Sequence, residues 1–142
     1  MGIWKRLTRR WRRTPSSHEK LVKQVSPRRL SRDEETILEW LLSVPFPGMS
    51  DLQAQARLAR VNAVCTCGCK SIILEVPEGT APTVVVRRVP VMGVGRTNGV
   101  PVLILLHVVN GFLSELEIVR ADSKRLVQIP DPASLRHEVI GD

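Results

Sequence analysis

Aromatic residues are scarce: the 142-residue chain has no tyrosine, two phenylalanines and three tryptophans. Beyond the first twenty residues only Trp40, Phe46 and Phe112 remain, each among apolar neighbours. The sequence therefore lacks the basic face with interleaved aromatics on which single-stranded nucleic acid stacks. Cysteine is also scarce, confined to Cys65, Cys67 and Cys69. Three cysteines packed into five residues make no disulfide framework, so the expected setting is reducing and cytoplasmic. No apolar stretch approaches the roughly 20 residues of a transmembrane helix; the longest, Val100 to Val109, contains Pro101 and His107. The basic N-terminus is not followed by the apolar core of a secretory signal.

Charge is present in excess but unevenly placed. The formal net charge is +7; residues 1–30 hold ten Lys or Arg against the single acid Glu19, whereas residues 31–142 hold eleven against thirteen acids. This divides the chain into a basic tail over residues 1–26 and one slightly acidic domain over residues 27–142. As a helix, the tail sets Ile3, Trp4, Leu7 and Trp11 on one stripe, with Lys5, Arg6, Arg9, Arg10, Arg12 and Arg13 around the rest. Such a segment adsorbs to an anionic membrane or to nucleic acid. The plainer alternative is a disordered tail ending at Thr14-Pro15-Ser16-Ser17.

The domain begins with a helix signal. Ser31 followed by Glu34 forms a capping box, the acids at positions 33–35 suit the positive helix end, and Ile37, Leu38, Trp40, Leu41 and Leu42 give an apolar face that Pro45 and Pro47 terminate. Ser50 is expected to cap a second helix through Ala59. Strands are expected near 60–66, 71–76, 83–89, 90–96, 100–109 and 112–120.

Two Asn-Gly pairs read as hairpin turns and set registers. Asn98-Gly99 pairs Thr97 with Val100, and hence Val94 with Leu103. Asn110-Gly111 pairs Val109 with Phe112, His107 with Ser114, Leu105 with Leu116 and Leu103 with Ile118. The resulting expectation is an α+β fold: two N-terminal helices packed on one face of a curved antiparallel meander of five or six strands. The helices would cover the face bearing Leu103, Leu105, Leu116 and Ile118. The opposite face would carry Val102, Ile104, Leu106 and Val108 beside a trough at Gly93 and Gly95, flanked by Glu115 and Glu117.

The segments RRLSRDEETILEWLLSVPFPG, RVNAVCTCGCKSIILEV and VVRRVPVMGVG, with the later GVPVLILLHVVNGFLSELEIVRAD, resemble short bacterial proteins catalogued as a domain of unknown function. The resemblance covers about residues 27–132. It implies no activity, so no catalytic residues carry over from it.

Functional candidates are few. An apolar sheet face left to water on a monomer points to an interaction site, and no catalytic set accompanies it. The leading expectation is thus a non-catalytic interaction module, of immunity or inhibitor type or homodimeric. It would bind a protein partner through Val102, Ile104, Leu106 and Val108, with Glu115 and Glu117 selecting a basic counterpart. The second expectation is a thiolate metal or redox protein: Cys65, Cys67 and Cys69 could converge on Zn²⁺. The fourth donor is missing locally, since His18, His107 and His137 are distant in sequence, and a plainer reading makes Cys65 and Cys69 small buried residues at a strand end. The third expectation is a ligand or enzyme pocket between helices and sheet, with His107 the first suspect. Apart from zinc at the cysteines, no cofactor is expected.

Overall fold

The computed structural model describes residues 22–84 and 87–141; Lys5, Arg6, Arg9, Arg10, Arg12 and Arg13 lie outside the described residues. The described chain forms strands β1 (Val22–Arg28), β2 (Arg60–Cys65), β3 (Ile72–Glu75), β4 (Val91–Thr97), β5 (Val100–Val109), β6 (Phe112–Arg120) and β7 (Leu135–Val139). Helices α1 (Arg32–Leu41) and α2 (Met49–Ala56) lie between β1 and β2. All pairings are antiparallel and make one sheet in the order β1-β2-β3-β6-β5-β4-β7.

This corrects the expected fold in two respects. The sheet has seven strands, not five or six, and a strand precedes the helices, so they are not N-terminal to the sheet. β1 takes in residues 22–26, which were assigned to the tail. Of the expected strand over 83–89, the described residues 83, 84 and 87–89 form no strand; they run along the β5–β6 hairpin, where Thr83 N–H donates to Gly111 O at 2.8 Å and Val108 N–H to Arg88 O at 2.7 Å. The two halves of the sheet, β1-β2-β3 and β6-β5-β4-β7, meet along a seam of only two paired positions, Ile72 with Leu116 and Ile73 with Glu115.

Helix α1 starts as its sequence dictates. Ser31 Oγ accepts from Glu34 N–H at 3.2 Å and Glu34 Oε1 accepts from Ser31 N–H at 2.8 Å. The same carboxylate pairs with Arg28 at 2.8 Å, which fixes the end of β1 against the first turn of α1. Helix α2 starts at Met49 rather than after Ser50. Gly48, at φ 88°, takes the N-cap position in a left-handed conformation that suits glycine. Within α2, the fully buried Gln55 donates to Ala81 O at 3.0 Å and Gly111 O at 2.8 Å and accepts from Leu113 N–H at 2.9 Å. One amide thereby joins α2, the backbone at Ala81 and the β5–β6 turn.

The two Asn-Gly registers fare differently. The β4–β5 hairpin pairs as read, Thr97 with Val100 through Met92 with Leu105. In the β5–β6 hairpin Val109 does face Phe112 and Val108 faces Leu113, but His107 then faces Glu115: a bulge at Ser114 adds one residue to β6. Because side chains alternate across a sheet, one extra residue moves everything beyond it to the other face. Leu116 and Ile118 thus lie beside Leu106 and Ile104 rather than Leu105 and Leu103.

The helices consequently cover the face expected to be open. Val102, Ile104 and Leu106 are fully buried and Val108 is nearly so; they form the core with Leu116 and Ile118 of β6, Ile37, Leu38 and Leu41 of α1 and Leu52 of α2. Each such side chain contributes roughly 1.5–3 kcal/mol on burial. The trough at Gly93 and Gly95 is filled. A Cβ on Gly93 would sit 2.8 Å from the Trp40 ring, and one on Gly95 2.6 Å from a Leu135 methyl.

Candidate functional site

Three thiols converge at the end of β2. The strand ends at Cys65, and residues 66–70 reverse the chain, with Gly68 at φ 88° and Lys70 at φ 73°. The turn closes where Cys65 N–H donates to Ser71 O at 3.1 Å. It is anchored from two sides. Buried Ser71 accepts from Ile118 N–H of β6 at 2.9 Å and from the Cys69 thiol at 3.1 Å. Gly68 O accepts from Leu126 N–H at 3.1 Å, and the Arg125 side chain lies so close over Gly68 that a Cβ there would be 2.7 Å from Arg125 Cγ.

The Sγ atoms of Cys65, Cys67 and Cys69 all lie within 4.8 Å of one another, close enough to hold one metal ion. Cys65 Sγ–H donates to Cys67 Sγ at 2.9 Å, and Cys67 N–H points to Cys65 Sγ at 3.5 Å. Cys67 is exposed, whereas Cys65 and Cys69 are half-buried. Burial, reinforced by the Cys67 contact, pushes the Cys65 thiol up to about 12, and burial also raises Cys69. A nucleophilic cysteine needs the opposite shift. A bound cation reverses the balance by favouring the thiolates, releasing protons as it binds. Beside the sulfurs opens a cleft of about 440 Å³, lined among others by Arg28, Glu34, Lys70 and Arg125.

A second cluster lies on the sheet face away from the helices. His107, Glu115 and Glu117 bring one ligand atom each within 4.8 Å. His107 Nε2 is 2.8 Å from Glu117 Oε1, and Arg88 Nε–H donates to His107 Nδ1 at 3.4 Å. With Nδ1 accepting from Arg88, Nε2–H is the group that faces Glu117. Both ring nitrogens are thus engaged. The expected pairing of His107 with Ser114 hid this set, because the bulge alone brings Glu115 across from His107.

The remaining candidates fall elsewhere. Val102, Ile104, Leu106 and Val108 are core and offer no surface to a partner; Glu115 is buried and Glu117 is half-buried beside His107, so the two form no exposed acidic flank. An open cleft of about 600 Å³ does lie between the helices and the start of β2, rimmed by Arg29, Glu35, Glu39, Arg57 and Arg60. His107 is not in it, being on the face away from the helices. His137 stacks on Trp40 at 3.8 Å and donates from Nε2 to Trp40 O at 2.6 Å, so it ties β7 to α1. Glu75 was not foreseen: it is buried, accepts from Asn62 at 3.2 Å, and burial pushes its carboxyl up to about 7.

Among the described residues no helix is long and apolar enough to cross a membrane. Comparison of the chain with protein-family models, curated proteins and solved structures yields no match.

Proposed function

We propose that the chain binds a soft divalent metal ion, zinc, through the thiolates of Cys65, Cys67 and Cys69. The observation that carries this reading is the convergence of three sulfurs within 4.8 Å on one five-residue turn. Zinc takes thiolates at about 2.3 Å in a tetrahedron, which sets ligating sulfurs roughly 3.8 Å apart. Three features favour a metal over mere packing. Cys67 is exposed, where a structural cysteine gains nothing from burial. The turn is anchored to β6 and to Leu126, so the sulfurs are held before a metal arrives. Lys70 and Arg125 border the cleft at the sulfurs and offset the thiolate charge.

The test is elemental analysis of full-length protein purified without chelator, followed by competition against a chromophoric chelator. One zinc per chain is expected. Cys67→Ser and Cys69→Ser should each weaken zinc binding by more than the roughly 10–100-fold that loss of an outer-sphere partner costs, with an unchanged circular dichroism spectrum for the exposed Cys67→Ser. Zinc well below one per chain, even after supplementation, returns the cysteines to a packing role.

A further inference from the structure

We propose that Cys67 and Cys65 form a dithiol that exchanges with an anionic low-molecular-weight disulfide, Cys67 attacking first and Cys65 resolving, to leave a Cys65–Cys67 disulfide. The proposal goes beyond the metal reading and stands without it, since it concerns the metal-free turn. Its ground is the spacing of the sulfurs. Cys65 Sγ and Cys67 Sγ are in contact at 2.9 Å, against about 2.05 Å in a disulfide, so the pair stands near bonding distance. Cys69 is engaged differently. Half-buried, its thiol donates to Ser71 Oγ at 3.1 Å, and the same Oγ accepts from Ile118 N–H of β6 at 2.9 Å. The sheet thus holds the third sulfur while the other two meet each other.

Access sets the order of events. Cys67 is exposed and Cys65 half-buried, so an incoming disulfide R–S–S–R meets Cys67. In the first step the Cys67 sulfur gives up its proton and bonds to one sulfur of the reagent; the reagent's S–S bond breaks, and the released half takes up the proton as R–SH. In the second step the Cys65 sulfur bonds to the Cys67 sulfur, the bond from Cys67 to S–R breaks, and a second R–SH leaves with the Cys65 proton. Both protein thiols are oxidised and one disulfide is reduced to two thiols, with no other oxidant. The cleft beside the sulfurs selects the reagent. Among its lining residues Arg28, Lys70 and Arg125 are basic and Glu34 is acidic, and that one acid is paired with Arg28 at 2.8 Å. The Arg125 side chain lies over Gly68, next in the chain to Cys67. A cleft of one predominant sign draws in a reagent of the opposite sign.

The full-length chain, reduced and stripped of metal so that zinc binding has no bearing on the result, is mixed with oxidised glutathione as the anionic probe and with cystamine as a cationic one. Each rate is divided by that of the same reagent with a free model thiol. Remaining thiols are alkylated and located by fragmentation mass spectrometry. The parent should end with a Cys65–Cys67 disulfide and an alkylated Cys69. Cys65→Ser should stop at a glutathione adduct on Cys67, and Cys69→Ser should behave as the parent. Glutathione should be favoured over cystamine by at least ~10-fold at low salt. Arg125→Gln should reduce that preference, whereas Arg136→Gln, which removes the same charge from exposed edge strand β7, should not. A final bond or adduct on Cys69 in the parent, an adduct that persists on the parent's Cys67, or a lack of reaction with both reagents overturns the dithiol, and each is read without recourse to a variant's folding. A normalised rate no higher for glutathione than for cystamine overturns the choice of an anionic reagent.

Discussion

Ile104 tests the β5–β6 bulge most directly, because a register without the bulge leaves this side chain in water whereas the observed one places it at the centre of the core. It is fully buried, opposite Ile118 and Gly93 and beside Trp40 of α1. Truncation to alanine removes three carbons, or about 2.4 kcal/mol at ~0.8 kcal/mol per buried methylene. The cavity left by incomplete collapse raises the cost to about 3–4 kcal/mol, within the 2–5 kcal/mol seen for such changes. Ile104→Val should cost only ~1 kcal/mol. Ile104→Lys strands an ammonium in apolar surroundings and should prevent folding at ordinary temperature, since total stability is only about 5–15 kcal/mol. Leu103→Ala is the control on the half-buried opposite face and should cost clearly less than Ile104→Ala. Urea titration followed by circular dichroism measures each value at constant slope. An Ile104→Lys protein that unfolds at the parent's midpoint refutes the placement of β5 and, with it, the bulge.

Two further expectations concern buried carboxylates. Glu75 titrates near 7 in the folded chain, against 4.5 for the ordinary group; the folded state therefore binds more protons between those values, and stability should fall as pH rises from about 4.5 to about 7. Glu75→Gln should flatten that slope in urea titrations at several pH values, and an unchanged slope refutes the assignment. Glu34 behaves in the opposite sense. The Arg28 contact and the Ser31 backbone N–H outweigh its burial and hold its carboxyl below the ordinary value, so its contribution is present above the unfolded pKa and lost as pH falls through the folded one. Ser31→Ala removes one arm of the same cap and should cost ~1 kcal/mol, measured as a drop in the thermal midpoint.

Local signals in the sequence were accurate where the chain closes on itself within a few residues. The cap of α1 and the six pairs of the β4–β5 hairpin follow from Ser31-to-Glu34 and Asn98-Gly99, since both depend on contacts only a few residues away. The Asn110-Gly111 turn fixed its first two pairs for the same reason. The bulge at Ser114 carries no glycine and no local signature. It is held from outside by Gln55, whose carbonyl binds Leu113 N–H across 58 positions of sequence. β1 was missed because Val22–Arg28 contains Lys, Gln, Ser and Pro and is a strand only by virtue of pairing with β2. At the site, the cysteine spacing was legible as a set of metal donors, whereas the His107–Glu117 contact and the nearness of Val22 to Cys65 depend on register, which spacing alone does not encode.

The two-position seam between β3 and β6 has an entropic consequence. Hairpins β4–β5 and β5–β6 close through two-residue turns, at little loop-entropy cost, while the seam joins Ile72 to Leu116 across the whole of both hairpins. Loop-closure entropy therefore favours the hairpins over the seam, and the contact across the seam, Ser71 Oγ accepting from Ile118 N–H, belongs to the residue that also receives the Cys69 thiol. An ion held by the proposed thiolate site would act directly on this seam. Its loss would loosen the joint between two otherwise intact halves before it unravelled either of them.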